Sequence, residues 1–366
     1  MDKIGIDLGK FKSDVCVMKG PDQVSERFRV ETSREVLQRT FGNRPAAEVA
    51  IEAGRDSRWV HEVLTGLGHQ VKVMDTTQAR AMGVGRGRRK TNRRDAEALA
   101  RSLWTGAFPE AHVLSSHAAQ LRDLLLMRRQ LVGQRTALIT ELRGQFQAQG
   151  WRAPSCDADE FVRRLRKTGH ELVRSIHVQA ALAMIEQLSL QIGVLEQQLR
   201  GLADRMEAYS ILSTAPGVKL IVALTFISVI DDPKRFHHAD EVAAYLGFVP
   251  SEGSTGEERS LGSITKTGNA EARAMLVQAA WTTGRSRVHQ NDPLVVWAKQ
   301  LAARRGARIA AVGLGRRLAR ILWAMWRAGT CYDPKRVGHE SAEGVAARAR
   351  RTLKESNEIE SAARAA

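Results

Sequence analysis

The chain has 366 residues, enough for two or three domains, and its 43% hydrophobic content excludes wholesale disorder. Its 56 Lys and Arg against 40 Asp and Glu leave a formal charge of +16, which calls for an anionic partner; DNA or RNA fits best, with an anionic membrane surface or plain high-pI solubility as the other readings. Cys16, Cys156 and Cys331 are too scattered for a disulfide framework or a zinc motif, which points to a reducing cytoplasm.

Residues 1–108 read as an α/β domain. Ile4 and Ile6, then Val15 and Val17, mark two strands. Val49 with Ile51 and Val71 with Val73 mark two more, and a helix runs from Trp59 to Leu67. A glycine- and arginine-rich loop, residues 82–90, leads into a helix from Asn92 to Trp104. Residues 109–207 read as a helical coiled-coil region. Leu121, Leu124, Leu131 and Leu138 share one side of a helix, and Ile185, Leu188, Ile192, Leu195, Leu199, Leu202 and Met206 alternate spacings of three and four. The partner of that stripe is the 121–142 helix, a second subunit, or both. Residues 208–333 read as a mostly helical domain, and 334–366 as a charged tail without large apolar anchors. No signal-like N-terminus or membrane-length apolar run is read; the run from Leu220 to Ile230 is short and interrupted by Thr225 and Ser228.

Asp7 ends a strand otherwise made of Ile4, Ile6 and Leu8, and Glu52 ends another. Buried and unpaired, such a carboxylate costs several kcal/mol, of order 2–7. A bound Mg²⁺ removes that cost, and salt bridges or turn hydrogen bonds are the competing explanation. Asn92 and Asp95 stand three apart on one helix face, as metal donors or as helix-capping groups near the positive end. Asp14 and Asp75 are nearby alternatives for the same site, but their turn settings favour ordinary surface placement. Arg86, Arg88, Arg89, Lys90, Arg93 and Arg94 make the densest basic segment, suited to backbone phosphates or simply to water. Ala215-Pro216-Gly217-Val218 reads either as a phosphate-gripping hairpin between short helices or as a tight turn. Trp281, Trp297, Trp323 and Trp326 read as core, and His237 and His238 lack the company a zinc site needs.

Gly5-Ile6-Asp7, the Glu52 strand and Lys90-Thr91-Asn92-Arg93-Arg94-Asp95-Ala96 resemble the DEDD transposases of bacterial insertion sequences. A second block agrees: Ala215-Pro216-Gly217-Val218, Phe248-Val249-Pro250, Ser254-Thr255-Gly256 and Gly262 through Asn269. Together the blocks span residues 1–328 and are similar to the group guided by a structured bridge RNA. The resemblance implies a ribonuclease-H-like (Holliday-junction-resolvase-like) domain, a coiled coil and a helical transposase domain. It implies an acidic site of Asp7, Glu52, Asn92 and Asp95 binding one or two Mg²⁺, with Asn92 standing where the family carries aspartate. It further implies a nucleophilic hydroxyl on Ser254 or Thr255, a serine-linked phosphodiester intermediate, and phosphate contacts from Arg259 and Lys266.

The expected function is therefore that of a cytoplasmic, nucleoid-associated recombinase. It would act on donor and target DNA with a bridge RNA, as a homodimer or homotetramer, away from membranes. Arg285, Arg287, Arg304, Arg305, Arg308, Arg316, Arg317 and Arg320 are candidates to line a nucleic-acid channel. The alternatives are a metal-dependent DNA endonuclease that makes no serine adduct, and a catalytically impaired nucleic-acid-binding regulator, for which Asn92 is the argument.

Overall fold

The computed structural model describes residues 1–75, 92–106, 108–252 and 261–338. The basic loop 82–90, Ser254, Thr255 and Arg259, the tail from 339 onward, and the side chains of Asn92 and Arg93 lie outside that description. The chain forms two compact units, Met1–Ser115 and Ser116–Ala366.

In the first unit the strands are β1 (Lys3–Asp7), β2 (Lys12–Gly20), β3 (Gln23–Glu31), β4 (Glu48–Glu52) and β5 (Gln70–Met74), with helices α1 (Arg34–Phe41), α2 (Ser57–Gly66) and α3 (Asn92–Thr105). Among the described residues these strands form one sheet in the order β3-β2-β1-β4-β5. β1, β2 and β3 are antiparallel neighbours, whereas β4 and β5 run parallel to β1. Strand alternation builds two cores from one sheet. Ile4, Ile6, Val15, Val17, Val49 and Ile51 pack with Leu37, Phe41, Val60 and Leu64 of α1 and α2. On the other face, Cys16 and Met18 meet Ala96 and Ala100 of α3, and Ala50 and Met74 meet its Leu99 and Leu103. This mixed α/β architecture agrees with the ribonuclease-H-like expectation.

The second unit is largely helical. α4 (Ser116–Ala148) and α6 (Ile176–Ala203) lie antiparallel. Leu121 and Leu125 join the cluster of Leu199 and Ala203 at one end, while Ile139, Leu142 and Phe146 join Val178, Leu182 and Ile185 at the other. The α6 stripe therefore faces α4 of the same chain. Between the two apolar ends Leu188 and Ile192 are buried and polar contacts join them: Arg128 Nε donates to Glu196 at 2.7 Å, and the buried Arg135 donates to Ser189 Oγ at 3.0 Å and to Asp159. By length and composition α6 is apolar enough to cross a bilayer, contrary to the sequence expectation, but these bonds tie it to a charged partner helix. α5 (Ala158–Lys167) closes the far end with Phe161, Val162 and Leu165.

Beyond α6 come α7 (Glu207–Leu212), α8 (Leu220–Ile230), α9 (Ala239–Tyr245), the pair β6 (Pro250–Glu252) and β7 (Leu261–Ile264), α10 (Ala270–Arg285), α11 (Pro293–Arg305), α12 (Ala307–Ala328) and α13 (Pro334–Gly338). Phe226, Phe248, Leu276, Leu314, Leu318 and Trp323 share their core, with Trp297 and Trp326 packed against it, as read for three of the four tryptophans.

Candidate active site

The pleat of β1 decides where Asp7 goes. Ile4 and Ile6 are buried toward α1 and α2, so Lys3, Gly5 and Asp7 belong to the face that α3 covers. α3 lies directly on that face. A Cβ added at Gly5 would sit 1.9 Å from Ala96 O and 2.6 Å from Ala100 N, so only glycine permits this approach. At the other end of β1, Lys3 Nζ donates to Leu103 O at 2.6 Å. α3 thus runs antiparallel to β1 and brings its first turn, which contains the half-buried Asp95, to the Asp7 end. The parallel register Ile6↔Ile51 places the next residues, Asp7 and Glu52, side by side at the same ends of neighbouring strands.

The row of carboxylates continues into β2. Asp14 stands opposite Asp7 and Arg29 of β3 opposite Asp14. Asp14 is only 3% exposed and accepts from Arg29 Nη2 at 2.8 Å and Nε at 3.1 Å. The surface-turn reading of Asp14 is corrected. It shares its strand parity with the buried Cys16 and Met18, a signal the sequence carried. Deeper along α3, burial works to raise the Glu97 carboxyl, but hydrogen bonds from Arg27 and Arg101 outweigh it and hold the group below its usual range. Burial pushes the Cys16 thiol up, reinforced by the charge of Glu97.

Asp7, Glu52 and Asp95 are therefore gathered at one end of one domain by two strands and a helix. They are neighbours rather than a closed shell. Among the described residues, no set of three His, Cys, Asp or Glu side chains is arranged to hold an ion. The donors nonetheless suit a hard cation, since all are carboxylate oxygens on the face opposite the main core. Arg94 is exposed beside them.

In the second unit, Lys266 lies in a turn with φ 57°, its N–H donating to Gly247 O at 3.2 Å and its side chain exposed. Asn269 caps α10, accepting from Ala272 N at 2.9 Å. Much of the second sequence block thus shapes a turn and a helix start. Several candidate channel arginines instead make local contacts: Arg317 stacks on Trp297, Arg285 on Trp281, and Arg316 and Arg320 reach Asp240 at 3.5 and 3.4 Å.

Comparison with known proteins decides the family. The DEDD_Tnp_IS110 transposase family matches residues 4–148, and the Transposase IS116/IS110/IS902 family matches residues 209–293. The Sinorhizobium fredii transposase relative y4pF/y4sB is 30% identical over 346 residues, covering 90% of this chain and 85% of its own. The chain belongs to the IS110 family of DEDD transposases. A Pseudomonas aeruginosa relative designated a family 20 transposase is 28% identical, over 91% of this chain and 99% of its own. The transposase for insertion sequence element IS1111A of Coxiella burnetii is 26% identical, over 88% of each.

As an IS110-family member the protein is an enzyme of DNA transposition and recombination, with DNA as its partner and metal binding as part of its chemistry. One expectation is overturned. The serine-linked intermediate through Ser254 or Thr255 gives way to carboxylate–metal chemistry, because the family matching residues 4–148 is defined by its DEDD carboxylates. Carboxylate-held ions act on phosphodiesters without a covalent protein link. The metal-dependent endonuclease reading fits better.

Proposed function

We propose that this IS110-family transposase cuts DNA as a metal-dependent endonuclease, with Asp7, Glu52 and Asp95 as metal-holding residues, Asn92 in the fourth position and Mg²⁺ as the ion. The observation that carries the reading is the β1–β4 register together with the helix packed on Gly5, which bring three carboxylates to one end. When bound, the ion supplies an activated attacking oxygen and neutralises charge on the phosphate. Asp7 and Glu52 orient it from rigid strand ends, and Asp95 does so from the first helical turn. Asn92 contributes at most a neutral carbonyl oxygen, so this chain should bind the ion more weakly than one with aspartate there. Arg29, anchored by the buried Asp14, presents its outer N–H groups at the flank of the row, where a backbone phosphate would lie. The basic segment Arg86, Arg88, Arg89, Lys90, Arg93 and Arg94 would add phosphate contacts there, and Arg259 and Lys266 would bind nucleic-acid backbone at the second unit.

The domain scheme of 1–108, 109–207, 208–333 and 334–366, with the α4–α6 pair as a coiled coil, belongs to the same proposal, as does bridge RNA as a second nucleic-acid partner. Self-association as a dimer or tetramer is supported by the outward face of α6, where Ile176, Leu190 and Val194 are 87%, 60% and 44% exposed. The working site would be the nucleoid. The test is cleavage of supercoiled donor DNA with Mg²⁺ and RNA copied from the gene's flank. Asp7→Asn and Asp95→Asn should abolish cutting while DNA binding persists; undiminished cutting by either variant would remove the carboxylates from the mechanism.

A further inference from the structure

A cleft of about 790 Å³ lies in the second unit, outside the unit that carries the carboxylate end; Arg128 and Glu196 of the α4–α6 seam and Gly217 of the Ala215–Val218 turn are part of its lining. Its walls come from α4, α6, the turn before α8, and the end of α10, with Arg128, Arg129, Arg200, Lys219, Thr282 and Ser286 among the lining. Two of its four cations are locally compensated: Arg128 by Glu196 at 2.5 Å and Arg129 by Glu271 at 3.5 Å. Arg200 and Lys219 are exposed and, among the described residues, have no ion-pair partner.

The cleft therefore carries a surplus of about two positive charges that no carboxylate among the described residues pairs with. The donors around it are hydroxyls and amides. Lys219 is the N-cap of α8 and its side chain makes no capping hydrogen bond; among the described residues no side chain is seen to accept from the first-turn N–H groups of Leu220, Ile221 and Val222, which also line the space. Among the described lining residues His289 carries the one ring, with no Phe, Tyr or Trp to build a stacking platform, which favours backbone over base recognition.

We infer that this cleft is a second nucleic-acid site, which holds a short stretch of sugar–phosphate backbone through Arg200 and Lys219 without reading sequence. It deepens the nucleic-acid reading above but is independent of the carboxylate end, so its failure would leave metal-dependent cutting at Asp7 untouched. The backbone could be that of RNA, single-stranded DNA or duplex, which share the phosphodiester.

The test is fluorescence anisotropy on the full chain, with labelled single-stranded RNA, single-stranded DNA and duplex DNA of one sequence, titrated from 50 to 300 mM salt. Arg200→Gln with Lys219→Gln should lower the slope of log affinity against log salt by about 1.4 on a single strand or about 1.8 on duplex, and weaken binding about 25-fold or more at 0.1 M salt. The probe that shows the change identifies the source. Thr282→Glu keeps every cation but adds an anion to the wall, and should weaken the same probe. Lys19→Gln with Arg39→Gln removes equal charge from the first unit, and thermal melting checks folding of all variants. Unchanged slopes on all three probes, or an equal loss in the Lys19/Arg39 control, would overturn the assignment.

Discussion

Replacing Gly5 by alanine tests the packing on which the acidic end depends. The new methyl would lie 1.9 Å from Ala96 O, against an ordinary carbon–oxygen contact of about 3.3 Å. Both obstacles are backbone atoms of α3, so no side-chain rotation relieves the clash, and the helix must retreat by about 1.4 Å. Overpacking of this kind costs about 1–3 kcal/mol. The retreat also carries Asp95 away from Asp7 and Glu52, and a misplacement of about 1 Å in a catalytic constellation costs about 10²-fold in rate. Gly193→Ala provides the contrast. Nothing lies within 4 Å of its added Cβ in the interior of α6, so it should gain about 1 kcal/mol. Urea denaturation of both variants and a cleavage time course with Mg²⁺ measure the two effects. A Gly5→Ala protein as stable and as active as the parent would refute the argument that α3 seats Asp95 through this contact.

Gly217→Ala should destabilise the second unit by about 1–3 kcal/mol, since φ is +74° and the new Cβ would fall 2.0 Å from the buried Thr283 Oγ1; thermal melting checks it. Burial works to raise the Glu48 carboxyl, yet Lys72 at 2.7 Å and Lys3 at 3.1 Å prevail and hold it below its ordinary 4.5. With the folded value depressed, its stabilisation is present above that ordinary value and lost as pH falls through the folded one. Glu48→Gln should therefore lower stability at neutral pH, with the gap to the parent vanishing in acid melts. The buried Cys16, its thiol pushed up by burial, should resist alkylation at pH 8 until the chain is denatured, whereas the exposed Cys331 reacts at once. Mass mapping of the labelled thiols distinguishes them.

Most of the first unit was legible in the residues. The apolar pairs Ile4/Ile6, Val15/Val17, Val49/Ile51 and Val71/Val73 each became a strand, because period-two alternation is a local signal. β3 escaped notice for a physical reason: it is an edge strand on which Val30 is the one buried position, so its sequence reads as polar. For Asp14 the strand parity with Cys16 and Met18 was in the sequence and was overlooked, whereas its partner Arg29 on β3 is set by register, which the local sequence does not show. The α6 stripe and the leucines of α4 were visible, and what the leucine pattern could not show is that Arg128 and Arg135 occupy seam positions between them. At the acidic end, the chemistry of Asp7, Glu52 and Asp95 was legible in the sequence, whereas the register that sets Asp7 beside Glu52 is a property of the fold. The serine mechanism failed because a hydroxyl in a polar loop carries no signal of its own; it came only with the resemblance.

The most direct measurement is an anomalous-scattering map of the protein crystallised with DNA and Mn²⁺. An ion coordinated by oxygens of Asp7, Glu52 and Asp95, and absent from Asp7→Asn crystals, is the predicted result. A manganese peak held elsewhere, with those three carboxylates uncoordinated beside bound DNA, would contradict the account.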